Sequence, residues 1–360
     1  MRQALALAEQ GRGLTSPNPT VGAVVVRDGV IAGRGYHVYA QRDHAEIVAL
    51  RQAGAQAQGA TLYVTLEPCS HWGRTGPCTE AILQAGIRRV VAAMQDPNPL
   101  VAGKGFDQLR AAGVQVELAT EFTQQAREVN RAYVHFMETG RPLVILKAAL
   151  TLDGKIAAPD DNRGWITSAQ ARQHVQMLRH YSDAILTGIG TVLADDCLLT
   201  DRTGLPRSRP LLRIVLDSQL RLPLQSRLVN SAQQDLLVAT TSAASAERRH
   251  ALEKRGIEVL TFDGPDGRVD VRSVIQLLAE RKYLSLLVEG GSKVNWTLLE
   301  QGIADQIFFY YAPKILGGTQ SLPVAGGVGR RTRQDALQFH NLRLHRITDE
   351  EFAVEAWLKK

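Results

Sequence analysis

The chain has 360 residues, 44% of them hydrophobic and 22% charged, with a formal net charge of +6. That is the balance of a globular protein with room for two domains, not of a disordered or fibrous one. No run of about 18 apolar residues is present to span a bilayer, no Lys/Arg block marks a nucleic-acid tail, and three cysteines are too few for a secreted disulfide framework, so a reducing cytosol is expected.

Met1 to Glu9 predicts an amphipathic helix rather than a signal-peptide core, and Gly11 to Pro19 reads as loop. Val21 to Arg27 is β-rich, and Asp28-Gly29 ahead of Val30-Ile31 predicts a tight hairpin. His44 to Ala53 predicts a helix ending at Gly54, which puts His44 and Glu46 in its first turn. Thr61 to Leu66 reads as a buried strand, Thr79 to Ala85 as a helix just past Cys78, Arg88 to Ala93 as a strand, Phe106 to Ala112 as a helix and Val114 to Leu118 as a strand. This alternation predicts an α/β/α layered domain. One helix is expected from Thr123 to Met137, and Thr139-Gly140-Arg141-Pro142 ends it as a linker. The expected domains are therefore 1–140 and 141–360.

In the second half, strands are predicted at Leu143 to Leu150, Ala184 to Thr187, Leu211 to Leu216, Leu236 to Ala239, Glu258 to Thr261, Ser285 to Val288, Gln306 to Tyr311 and Phe352 to Trp357, with a helix running through Arg179. Glycine-rich turns follow two of them. Gly188-x-Gly190 lacks the third glycine of a dinucleotide fingerprint, because position 193 is Leu. Glu289-Gly290-Gly291-Ser292 opens onto a helix whose first amides are suited to phosphate, although a plain tight turn would use the same glycines.

The chemistry concentrates in His44, Glu46, Cys69 and Cys78. One imidazole and two thiolates supply three zinc ligands and leave a fourth tetrahedral position for water, whose pKa the cation lowers. Glu46, two residues past His44, is spaced to carry protons without ligating. His-x-Glu followed by Pro-Cys…Cys is the pattern of zinc nucleobase deaminases, but here eight residues, not two, separate the cysteines. Any one of these residues taken singly is more often a core residue; their joint occurrence at strand-to-helix junctions is what points to a metal.

The segment Pro68-Cys69-Ser70-His71-Trp72-Gly73-Arg74-Thr75-Gly76-Pro77-Cys78 resembles the deaminase half of the bifunctional riboflavin-biosynthesis deaminase/reductase family, with Gly76 where that family usually has Pro. Pro17-Asn18-Pro19-Thr20-Val21-Gly22 and Gly35-Tyr36-His37 match it too. Asp96-Pro97-Asn98-Pro99 and Gly103-Lys104-Gly105 also match, and read by themselves as a surface turn. From Lys147 onward the chain resembles the reductase half, in Lys147-Ala148-Ala149, Leu152-Asp153-Gly154-Lys155, Trp165-Ile166-Thr167-Ser168, Thr191 to Asp196, Asp217-Ser218 and Glu289-Gly290-Gly291. Cys197 and Arg163-Gly164 depart from the family pattern, and past Gly317 the likeness thins.

The resemblance implies a cytidine-deaminase-like domain, followed by a dihydrofolate-reductase-like domain. It implies zinc on His44, Cys69 and Cys78, with Glu46 relaying protons, and the pyrimidine substrate on Asn18, His37, His71 and Arg74. It implies NADPH against Ala148, Trp165, Thr191, Asp195, Ser218, Gly291, Ser292 and Lys293. The ribosyl phosphate would then lie against Lys147, Arg179, Leu199, Arg202 and Glu289. A homodimer is implied as well. Two rivals are a nucleic-acid-editing deaminase, which the wide cysteine spacing and the large second domain oppose, and a non-catalytic zinc-stabilised binding protein, which would not require Glu46.

Overall fold

The computed structural model describes residues 1–160 and 162–359. Contacts divide the chain into one unit of Met1–Arg141 with Pro206–Arg209, and a second of Pro142–Leu205 with Pro210–Lys360.

In the first unit, α1 (Arg2–Gln10) precedes a hairpin of β1 (Gly22–Arg27) and β2 (Val30–Tyr36). The two residues between them, Asp28 and Gly29, both have positive φ, 49° and 79°, as the tight turn requires. There follow α2 (Ala45–Ala53), β3 (Thr61–Val64), α3 (Cys78–Gln84), β4 (Arg89–Ala92), α4 (Lys104–Ala111) and β5 (Gln115–Leu118), with α5 (Thr123–Val129) and α6 (Arg131–Thr139) last. The sheet order is β2-β1-β3-β4-β5. β1 runs antiparallel to both β2 and β3, and β3, β4 and β5 are parallel.

Glycines in the hairpin set the layers. A Cβ on Gly22 would lie 2.0 Å from the Ala4 carbonyl oxygen, and Cβ atoms on Gly33 and Gly35 would lie 2.1 and 2.3 Å from those of Ala49 and Ala45. Gly35 pairs with Ala23 and Gly33 with Val25, so both share the sheet face opposite Gly22. Helix α1 therefore packs on one face and α2 on the other, each at a distance only glycine permits. The small face of α2 (Ala45, Ala49, Ala53) is buried there, and its first turn is held rigidly against the sheet.

The single helix expected from Thr123 to Met137 is two. The chain breaks at Asn130, whose φ and ψ are −102° and 16°. The Asn130 side chain accepts from the Thr20 amide (2.7 Å) and donates to the Thr20 carbonyl (2.9 Å). A buried amide pairing with a loop backbone competes with the helix ladder and wins, because the loop's polar groups would otherwise be buried unmet. The segment from Asp96, expected as a surface turn, is partly tucked in: Asp96, Val101, Gly105 and Phe106 are buried.

The second unit begins with β6 (Leu143–Thr151), β7 (Lys155–Ala157), α7 (Ala169–His180), β8 (Ala184–Gly188) and α8 (Ile189–Asp195). It continues through β9 (Leu212–Leu216), α9 (Arg227–Asn230), β10 (Leu236–Thr240), α10 (Ala246–Glu253), β11 (Glu258–Thr261) and α11 (Val271–Glu280). It closes with β12 (Ser285–Val288), α12 (Ser292–Glu300), β13 (Gln306–Ala312), β14 (Leu322–Pro323), β15 (Phe339–Arg346) and β16 (Phe352–Leu358). The nine-stranded sheet has the order β11-β10-β9-β8-β12-β6-β13-β16-β15, parallel from β11 to β13 and antiparallel at β16 and β15. The parallel strands read as continuous apolar runs because helices cover both faces. Val274, Ile275 and Leu278 of α11 and Leu298 and Leu299 of α12 share one core cluster with Val144, Leu146, Leu186 and Val288.

Candidate active sites

His44 caps the start of α2, Cys78 is the first residue of α3, and Cys69 lies on the turn after β3. His44 Nδ1 is 3.2 Å from Cys78 Sγ and 3.5 Å from Cys69 Sγ, and the three ligand atoms all lie within 4.8 Å of one another. Two sulfurs and one imidazole nitrogen converging at strand-to-helix junctions are a donor set suited to zinc. The Cys78 amide donates to Cys69 Sγ (3.4 Å), and the positive end of α3 favours thiolate there. Hydrogen bonding from Cys78 lowers the Cys69 thiol below its ordinary range, while the same bond and burial raise Cys78. Hydrogen bonding to Cys69 pushes His44 up to about 9. Sulfurs forced to share one negative charge are what a divalent cation relieves. Glu46 is 4% exposed, and burial raises its carboxyl.

Asn18 and His37 are brought to this cluster. His37 stands edge-on to His44 with ring centroids 5.3 Å apart, and its Nδ1 lies 2.8 Å from the Asp43 carbonyl oxygen, to which it donates. Asn18 Nδ2 is 3.1 Å from His37 Nε2. His71 and Arg74 are exposed on the loop between the cysteines, and the Arg74 guanidinium lies 4.1 Å over the Tyr39 ring. The residue sequence reasoning missed is Asn130, which holds the loop carrying Asn18 through Thr20. A lone Asn inside a helical pattern was its one signal.

In the second unit a buried ion-pair cluster joins three elements. Glu289, just past β12, takes Arg179 of α7 on both carboxylate oxygens (2.6 and 3.0 Å) and Lys147 of β6 at 3.3 Å. Burial alone would raise Glu289, but Lys147 and Arg179 outweigh it and hold the carboxyl down at about 2. Arg179 also donates to the Thr200 carbonyl (2.8 Å), and the Arg202 amide donates to Gln176 Oε1 (2.8 Å), so α7 tethers the loop carrying Leu199 and Arg202.

The residues expected to meet a nucleotide gather at the carboxyl ends of neighbouring parallel strands: Ser218 after β9, Thr191 and Asp195 in α8 after β8, and Gly291, Ser292 and Lys293 after β12. Ligands of open parallel sheets bind at such ends. A Cβ on Gly291 would come within 3.4 Å of Thr191 Oγ1, so two of these turns adjoin. Gly291 caps α12 without a side chain, leaving the first amides of that helix as donors that fit a phosphate. Ala148 lies on β6, and Trp165 is 68% exposed, braced by the Arg172 guanidinium at 4.7 Å and by Lys314 on its carbonyl.

Fold and sites together define a metal-dependent deaminase unit joined to a nucleotide-dependent reductase unit. Residues 1–94 match the model of the cytidine and deoxycytidylate deaminase zinc-binding region, and residues 142–350 match that of the RibD C-terminal domain. Riboflavin biosynthesis protein RibD of Aquifex aeolicus is 41% identical over 97% of this chain and 95% of its own, and that of Escherichia coli is 42% identical over 94% and 93%. Acinetobacter baumannii RibD superposes with a TM-score of 0.89 at 36% identity, covering 100% of this chain and 98% of that one. A Thermotoga maritima structure described as a diaminohydroxyphosphoribosylaminopyrimidine deaminase/5-amino-6-(5-phosphoribosylamino)uracil reductase superposes at 0.84 with 35% identity, covering 100% and 97%.

The chain belongs to the RibD family, the bifunctional deaminase and reductase of riboflavin biosynthesis. Its first unit has the cytidine-deaminase-like fold with a zinc-binding region, and its second is the dihydrofolate-reductase-like, NADPH-dependent reductase. An editing deaminase or a non-catalytic binding protein is not what the full-length likeness supports. No helix among the described residues is long and apolar enough to cross a membrane.

Proposed function

We propose that the chain carries out two successive steps on one phosphorylated ribosylaminopyrimidine. The first unit, residues 1–140, removes the ring amine of 2,5-diamino-6-ribosylamino-4(3H)-pyrimidinone 5′-phosphate. The second, residues 141–360, reduces 5-amino-6-(5-phosphoribosylamino)uracil to its ribitylamino form. The observation that carries the reading is the convergence of His44, Cys69 and Cys78, with buried Glu46 in the same helical turn.

His44, Cys69 and Cys78 would hold the zinc, which would supply Lewis-acid chemistry when bound. Glu46 carries a proton from the attacking water to the amine nitrogen, the carbon–nitrogen bond breaks, and ammonia leaves. Asn18 and His37 hold the pyrimidine, and His71 and Arg74 bind its polar periphery, with Arg74 a fork of donors for phosphate. In the second unit NADPH supplies the hydride. Ala148, Trp165, Thr191, Ser218 and the turn from Gly291 to Lys293 orient the nucleotide. Lys147, Arg179, Leu199, Arg202 and Glu289 seat the ribosyl phosphate, the arginines as bidentate partners. Asp195, the last residue of α8, assists proton transfer while hydride reaches the sugar carbon.

A homodimer and a cytoplasmic location belong to this reading. Leu342 and Leu344 are exposed on the edge strand β15, and all three cysteines are free of disulfides, as suits a reducing compartment. The test is a coupled assay on purified, metal-analysed protein. Ammonia should appear without NADPH, and NADPH should be consumed only after deamination. Ammonia release at the full rate from zinc-stripped protein would end the assignment.

A further inference from the structure

Glu67 lies two residues ahead of Cys69 and is 3% exposed. Among the described residues its carboxylate is met by four backbone amides. Oε1 accepts from Gly105 (2.9 Å) and Phe106 (3.3 Å), and Oε2 from Gly103 (2.9 Å) and Asp96 (3.2 Å). Three of these amides form the opening of α4, where a helix presents free donors and a positive end to an anion. The same helix sits directly on the next peptide: a Cβ on Gly105 would lie 2.1 Å from the Pro68 carbonyl oxygen. Gly103 takes the left-handed conformation, φ 84°, that aims its amide. Further along α4, Gln108 accepts from Thr79 Oγ1 (2.8 Å), the residue after Cys78, and the Thr79 amide donates to the Cys69 carbonyl (3.2 Å). Helix α4 and the loop ahead of it thus grip both cysteine-bearing turns.

We propose that Glu67 is a positioning residue for the metal, and that Asp96, Gly103, Gly105 and Phe106 form the amide clamp through which it fixes Cys69. This rests on His44, Cys69 and Cys78 being the metal ligands. A carboxylate is needed because only an anion has lone pairs enough for four amides. Replacing it by an amide of equal size puts an NH2 group against backbone donors and loosens the turn.

The experiment measures Zn2+ affinity of full-length protein by chelator competition, and the absorption of the Co2+-substituted form, with melting temperature alongside. Glu67→Gln should weaken zinc binding about 10- to 100-fold, the size of losses when groups supporting a ligand are removed, and alter the Co2+ bands. Gly103→Ala, strained at positive φ but half-buried, should shift both readouts the same way by a smaller factor. A merely structural role lowers the melting temperature and leaves affinity and spectrum at wild-type values; that result in folded Glu67→Gln overturns the proposal. If Glu67→Gln does not fold, wild-type values in Gly103→Ala overturn it instead. Cys69→Ser is the control: wild-type zinc affinity there would sink the ligand assignment itself, whatever Glu67 does.

Discussion

The two sites are assembled on opposite principles. The metal cluster draws its ligands from residues 44 to 78, with His44 and Cys78 at the starts of two short helices and Cys69 on the loop between β3 and α3. The reductase cluster joins Lys147 and Arg179 to Glu289, which lies more than 100 positions from either, and the insertion of β12 between β8 and β6 brings them together. A site of neighbouring turns is defended by hydrogen bonds around each turn. A site of distant strands is defended by the sheet itself and by the mutual pairing of its charges.

The contrast can be broken most sharply at Glu46. Glu46→Ala should reduce ammonia release by about 10²- to 10⁴-fold, with bound zinc retained and reduction of the deaminated intermediate intact. Loss of both activities together would mean that the units are not chemically separate.

The charge cluster should respond to acid through Glu289. The folded-state value of Glu289 is depressed from 4.5 to about 2. Its contribution is therefore fully present above about pH 4.5 and is lost as pH falls through about 2. The depression corresponds to about 3 kcal/mol. Unfolding of wild type and Glu289→Gln, followed from pH 5.5 to 2.5, should show a gap that narrows with acid; a constant gap would remove the ion-pair explanation.

Asn130→Ala sharpens the comparison from the other side. It strips partners from both backbone groups of Thr20 and should cost about 1–3 kcal/mol. It should also raise KM for deamination more than it lowers kcat, because the loop carrying Asn18 is released while Glu46 is untouched. An unchanged KM would make the helix break purely structural. The smallest effect is expected at Arg202→Ala, roughly a tenfold rise in KM for the phosphorylated intermediate, the size of one charge-assisted hydrogen bond. Unaltered affinity for that intermediate would remove Arg202 from the phosphate site.

How much was legible follows the same division. The hairpin at Asp28-Gly29, the helix after His44 and the apolar strands of the second unit are written in local pattern, since turn chemistry and periodicity act over a few residues. The break at Asn130 was not legible, because it is caused by Thr20, 110 positions away. The burial of Asp96, Val101, Gly105 and Phe106 escaped for the same reason: Pro, Asn and Gly announce a turn, but the carboxylate it wraps belongs to Glu67. In the second unit the glycine turn after Val288 was visible, whereas its adjacency to Thr191 depended on sheet order.

By itself the sequence determined the chemistry on offer: which donors, which acid, which turns, and the alternation that makes two layered α/β units. Tertiary structure alone decided convergence, namely which sulfur meets which imidazole, which arginine meets Glu289, and which helix closes on Glu67. Residue type and local propensity act along the chain over a few positions. Buried charges and amides are satisfied only by partners that packing supplies.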